Sequence, residues 1–217
     1  MDIETTIRLI TVYAIPVIFA ITLHEAAHGY VAKRFGDNTA FVLGRVSLNP
    51  VRHIDPFGTI IFPTLTLFLG GMLFGWAKPV PVNQGELREP RKHMIWVVLA
   101  GPAANFVMAF MWAVLLRILV MLGQVDGFLW EVSLAGISIN LVLMVLNLLP
   151  IPPLDGGRVL MNIVPFEVEQ KLARIEPYGI WILLLLLMLG VVQPVIGTGV
   201  NFFYQLILQI VFFGYQF

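Results

Sequence analysis

Long apolar runs separated by short polar stretches dominate the chain. Three of them, residues 9–30, 94–122 and 131–149, approach or exceed the roughly 20 residues that cross a hydrocarbon core of about 30 Å, and each predicts a membrane-spanning helix. Two shorter runs, 180–192 and 200–213, are punctuated by Gly190, Pro194, Gly197 and Gly199. The first is only just long enough when counted from Pro177, and the pair predicts a helical hairpin beside the others. A further run, 59–76, is broken by Pro63, Gly70, Gly71 and Gly75.

Charge decides how that broken run is read. Residues 33–56 carry Lys33, Arg34, Arg45 and Arg52, and residues 77–93 carry Lys78, Arg88, Arg91 and Lys92. A crossing would leave four basic residues on each side, whereas a re-entrant loop gathers all eight on one side, as the positive-inside bias favours. The run is therefore predicted to dip into the membrane and return. Residues 123–130, without a basic residue, then lie outside with the N-terminus, and 155–176, with Arg158, Lys171 and Arg174, lie inside. The expected fold is an all-α polytopic membrane protein of five to six transmembrane helices, with a short re-entrant or β-hairpin region between the first and second core helices. It forms one domain over 1–217, its core at 9–165 and its helical hairpin at 177–213.

The polar stretches have local signatures. Residues 44–50 alternate and end in Asn49-Pro50, which predicts a short strand. His53 and Asp55 precede a Pro-Gly-punctuated segment and read as turn and cap residues rather than metal ligands. Lys78-Pro79-Val80-Pro81-Val82-Asn83 is stiffened by its prolines, so it is excluded from a sheet centre. It suits an edge strand whose free carbonyls hold a second extended chain, or a plain connecting loop. Gly101, Ala103 and Ala104 let their helix press against Ala26 and Ala27, with Asn105 bridging helices through its amide. Arg117, inside a span, is expected to snorkel or pair.

Composition confirms the solvent. Hydrophobic residues make up 59% and charged residues 12%, against about 45–50% and about 25% in soluble domains, and the mean hydropathy is +0.88. The net charge is zero and there is no basic block, which argues against nucleic acid as a partner. The absence of cysteine removes disulfides, thiolate nucleophiles and Cys-ligated zinc, leaving histidine and carboxylate as strong ligands.

Against that background His24-Glu25-Ala26-Ala27-His28 stands out, because it lies inside the first apolar run. Residues four apart share one face of a helix, so both imidazoles can reach one zinc ion at about 2.0–2.1 Å, and Glu25 is placed to take a proton from water. Packed core histidines are the bland alternative, but three ionisable groups within five residues at membrane depth are costly unless they serve a site. His24 sits roughly fifteen residues into the run, about 22 Å, nearer the end where Lys33 and Arg34 emerge. A third ligand is needed. Pro150, Pro152 and Pro153 must break the helix ending near Leu149, and such backbone survives at membrane depth only in protein or beside a wet cavity. Asp155, just beyond, is the obvious candidate, with N-cap of the next helix as its alternative. Nucleophilic-serine and aspartyl-dyad designs find no parts here. A metal-ion transporter or carrier using the same cluster is the competing class, although the chain shows no internal repeat.

Taken together, His24-Glu25-Ala26-Ala27-His28, Gly101-Pro102-Ala103-Ala104-Asn105 and Asn147-Leu148-Leu149-Pro150-Ile151-Pro152-Pro153-Leu154-Asp155-Gly156 resemble the site-2 protease family of intramembrane zinc metalloproteases, over about residues 9–165. The resemblance implies one zinc ion held by His24, His28 and Asp155, with Glu25 as general base and then acid. Asn147 would hold substrate backbone, and Asn105, Val80 and Val82 are expected to take part in substrate binding. The implied substrate is a single-span membrane protein, hydrolysed in or near its transmembrane segment. The chain would be a multi-pass protein of a prokaryotic cell membrane, its active site nearer the cytoplasmic face, and a homo-oligomer is compatible with it. The loop at 123–130 is too short for the PDZ module many members carry, and no nucleotide-sensing module is expected.

Overall fold

The computed structural model describes residues 3–61 and 78–214. The eight α-helices among them are α1 (Ile3–Arg34), α2 (Thr39–Val42), α3 (Pro90–Met121), α4 (Phe128–Asn147), α5 (Asp155–Ile163), α6 (Phe166–Ile175), α7 (Gly179–Met188) and α8 (Gln193–Val211). Uncharged apolar sequence favours this outcome in lipid, because a helix satisfies its backbone polar groups within one segment. No strand occurs among the described residues.

Four helices are long and apolar enough to cross a membrane: α1 over Ile7–Arg34, then α3, α4 and α8. The run predicted at 180–192 is shorter than expected. It forms α7, ten residues or about 15 Å, entered through a 3-10 turn at Glu176–Tyr178. Side chains such as Ile10, Phe19, Met111 and Phe202 point outward and are more than half exposed, the surface expected where lipid is the solvent.

Helix α3 is the hub, touching α1, α4, α5 and α8. Its Ala109 and Ala113, one turn apart and fully buried, let it close on α4, where Ile137, Leu141 and Met144 fill the seam, while Ile207 and Val211 of α8 complete this core. Gly136 of α4 lies flat against Trp112, so a Cβ there would strike the indole at 2.6 Å or closer. Arg117 pairs rather than snorkels: its guanidinium donates to the Val211 carbonyl at the end of α8.

The two ends of the bundle differ. At one, Arg8 of α1 pairs with Glu131 at the start of α4, which puts the α3–α4 connection beside the N-terminus. At the other, Arg91 reaches the Val164 carbonyl and Glu169, each at 2.8 Å, joining the start of α3 to the α5–α6 corner. The basic residues 33–92 collect at this second end.

Residues 44–50, predicted as a strand, are a series of turns. Gly44 has φ +64°, the Arg52 guanidinium donates to its carbonyl, and the Asn49 side chain caps a 3-10 turn over Pro50–His53. Polar side chains thus satisfy this backbone locally, where a strand would need a partner. His53 and Asp55 have the structural roles read from sequence: buried His53 donates from Nε2 to the Ser47 carbonyl at 2.8 Å, and Asp55 Oδ1 accepts from the Phe57 and Gly58 amides. The re-entrant prediction for 59–76 falls largely outside the described residues. Its flanks are in contact, however, since the Lys78 amide donates to the His53 carbonyl at 3.0 Å and Arg45 donates to the Lys78 carbonyl at 2.8 Å.

Candidate active site

His24 and His28 stand one turn apart on α1, and the Pro-rich turn after α4 folds back to bring Asp155 against them. That fold-back depends on glycine. A Cβ on Gly157 would lie 2.5 Å from the Ile151 carbonyl carbon, and one on Gly156 would lie 2.5 Å from the Leu149 oxygen. Asp155 is the first residue of α5, the N-cap position is taken by Leu154, and Asp155 Oδ2 has no hydrogen-bond partner. Of the two roles left open by the sequence, capping is therefore not the one it fills.

Three ligand atoms converge. His24 Nε2 and His28 Nε2 are 3.1 Å apart, and Asp155 Oδ2 lies 3.2 Å from the first and 3.5 Å from the second. A triangle of that size admits a point about 2 Å from every corner, the length of a zinc bond to nitrogen or oxygen. The hydrogen bonds behind the rings settle what these atoms offer. His28 Nδ1 lies 2.7 Å from the Val97 carbonyl, which only accepts, so Nδ1 carries a proton and, in the neutral imidazole, Nε2 is bare. His24 Nδ1 lies 2.6 Å from Asn105 Oδ1, with the same consequence. Asp155 Oδ2 is buried with no donor. Two bare nitrogens and a carboxylate oxygen, facing one another out of water, repel unless a cation sits among them. Among the described residues this is also the one group of three or more His, Asp or Glu side chains placed to hold a metal.

The trio opens on a cavity of about 400 Å³ that Glu25, Val80, Val82, Asn147 and Arg158 also line. Helix α3 passes the imidazoles at Gly101, where a Cβ would sit 2.6 Å from His24 Nε2. Here the small-residue stretch serves the imidazoles themselves as well as the helix contact. Glu25 Oε2 accepts from the Val80 amide at 2.8 Å, so the carboxylate is tied to the Pro-rich segment 78–83, whose Pro79, Val80 and Val82 line the cavity. That segment is anchored further along by buried Asp37, whose Oδ2 accepts from the Asn83 amide at 2.7 Å. Asn147 faces the cavity and spends one amide hydrogen on the Leu143 carbonyl.

The profile of peptidase family M50, the site-2 protease family, matches residues 12–135 and 124–190. The chain belongs to peptidase family M50. YwhC of Bacillus subtilis, named as a candidate zinc metalloprotease, is 40% identical to this M50 chain over 202 residues, covering 89% of each. Rip2 of Mycolicibacterium smegmatis, named likewise, is 33% identical over 178 residues; these are 78% of this chain and 64% of Rip2, so the chain spans just under two thirds of that relative. MJ0611 of Methanocaldococcus jannaschii, also so named, is 39% identical over 64 residues, 30% of this chain. No solved structure matches it.

Asn105, expected to bind substrate, is fully buried and stands behind His24, away from the cavity lining. An amide at membrane depth was legible as a bridge, but not which group it bridges to. Arg158, the one cationic side chain of the lining, was not singled out from sequence. Its position three residues after Asp155, on the same face of α5, is the signal that would have found it.

Proposed function

We propose that this chain is an intramembrane zinc endopeptidase that cuts a peptide bond in or near the transmembrane segment of a membrane protein. The observation that carries the reading is the convergence of His24 Nε2, His28 Nε2 and Asp155 Oδ2 beside Glu25, in a cavity walled by helices α1, α3 and α4. Zinc held by those three residues would activate water and polarise the scissile carbonyl. Glu25 accepts the proton of the attacking water as the new C–O bond forms, then delivers it to the leaving amine as the C–N bond breaks. The Val80 amide keeps the Glu25 carboxylate aimed into the cavity meanwhile.

A helical substrate shields its peptide bonds, so it must be extended before attack. Segment 78–83 is free of helix and fixed at both ends, and its Val80 and Val82 line the cavity. It is suited to receive a locally unwound substrate by main-chain hydrogen bonds, with the Asn147 amide as an additional partner. Family membership argues against the transporter alternative.

The test is cleavage of a labelled single-span substrate by the purified protein. Products are expected with zinc present and are expected to vanish with a chelator and return on zinc addition. Cleavage indifferent to chelation would overturn the proposal.

The contact between residues 45–53 and Lys78 supports a return of the intervening run to the same membrane face. In this naturally cysteine-free chain, Ser47→Cys and Asn83→Cys are expected to label from the same side of sealed vesicles, the cytoplasmic one. Labelling from opposite sides means that the run crosses.

A further inference from the structure

Behind the two histidines the supports are unequal. His28 leans on the Val97 main-chain carbonyl, which no side-chain substitution removes. His24 leans on a side chain, Asn105, which leans on another, Asn140 of α4; both are fully buried. Asn140 donates from Nδ2 to the Gly136 carbonyl one turn back, at 2.8 Å. Its Oδ1 is thereby turned to Asn105, whose Nδ2 donates to it at 3.0 Å and approaches the Ala20 carbonyl at 3.4 Å. Asn105 Oδ1 is left facing His24 Nδ1 at 2.6 Å.

The direction of this relay is fixed at its far end. The Gly136 carbonyl only accepts, so Asn140 must present Nδ2 to it and Oδ1 to Asn105; Asn105 must then present Nδ2 to Asn140 and Oδ1 to His24. The one donor that satisfies that oxygen is a proton on His24 Nδ1. Flipping either amide would set two acceptors or two donors face to face out of water, at a cost that buried polar groups avoid. Without Asn140, the Asn105 amide loses its stronger partner and can rotate to offer Nδ2 to the ring, which selects the opposite tautomer.

We propose that Asn140 is a positioning residue for the metal centre: acting through Asn105, it holds His24 as the Nδ1–H tautomer and keeps Nε2 free as a ligand atom. The proposal rests on the reading of His24, His28 and Asp155 as a zinc site. Outer partners of metal-bound histidine typically contribute about 10–100-fold in affinity. Asn140→Leu, which keeps the branched outline with some added bulk and removes both hydrogen bonds, is therefore expected to weaken zinc binding by about that factor. Asn140→Asp, whose carboxylic acid form can donate to the Gly136 carbonyl and accept from the Asn105 amide, is expected to recover much of the loss.

Two measurements on the full-length protein test it: zinc affinity by competition with a chromophoric chelator, and the ring signals of 15N-labelled histidine. In the zinc-loaded protein Asn140→Leu is expected to shift the His24 Nδ1–H resonance and speed its exchange, while that of His28 stays in place. A general loss of structure would move both. Wild-type affinity together with an unchanged His24 signal in Asn140→Leu overturns the relay. His24→Ala separates the two readings: if it retains zinc, the metal assignment fails and the relay with it; if it loses zinc while Asn140→Leu does not, only the relay fails. Should Asn140→Leu not fold, the zinc-free wild type under mildly alkaline conditions decides alone, where His24 protonated on Nε2 instead of Nδ1 overturns the proposal.

Discussion

Glu25→Gln is expected to keep full zinc occupancy and to lose turnover by about 10²–10⁴-fold, the range for removal of a general acid–base group. The expectation follows from what the side chain does and does not touch. Glu25 is outside the trio whose ligand atoms converge, so metal affinity should not depend on its charge. Its Oε2 accepts from the Val80 amide, and a glutamine carbonyl accepts equally well, so the contact with segment 78–83 survives. What the amide cannot do is take the proton of an attacking water. Metal content and cleavage rate measured on one preparation separate these functions. Near wild-type turnover would remove Glu25 from the mechanism.

Asp155→Ala is expected to do the reverse, removing zinc while leaving the helices in place. Leu154 rather than Asp155 is the N-cap of α5, and the Asp155 Oδ2 has no hydrogen-bond partner, so little of the fold depends on it. Its loss reduces the ligand set to two imidazoles. Zinc affinity should therefore fall by more than the roughly 100-fold at the upper end for a group standing behind a ligand. Competition with a chelator reads the affinity and circular dichroism the helix content. Unchanged affinity would mean that another residue supplies the third ligand.

How much of this was legible in the sequence depended on whether the signal was local. The spacing of His24 and His28 reads directly as one helix face, and the prolines at 150, 152 and 153 as a break beside a site, because both follow from backbone geometry within a few residues. Turns over 44–50 were not legible. Their alternation mimics a strand, and only the Arg52 and Asn49 side chains folding back onto the local backbone show otherwise. The length of α7 was overestimated because hydropathy continues through Leu189 to Val192, whereas the helix ends at Met188 and Gly190 takes φ +74°. Asn105 was recognised as a bridging amide, yet its partners, His24 and Asn140, lie 81 and 35 residues away and depend on how α1, α3 and α4 pack. The same holds for Gly101: a small residue suggests a close approach, but the approach to the imidazoles of His24 and His28 emerges only in three dimensions.

The most direct test of a zinc peptidase working at membrane depth is the position of the cut. Purified protein and a single-span substrate with an isotopically marked helix, reconstituted together in liposomes, should give two products whose masses place the cleaved bond in or next to the substrate's transmembrane segment. They should form only with zinc present and Glu25 intact. A cut confined to the substrate's soluble flanks, or products that persist with a chelator or in Glu25→Gln, would contradict the assignment.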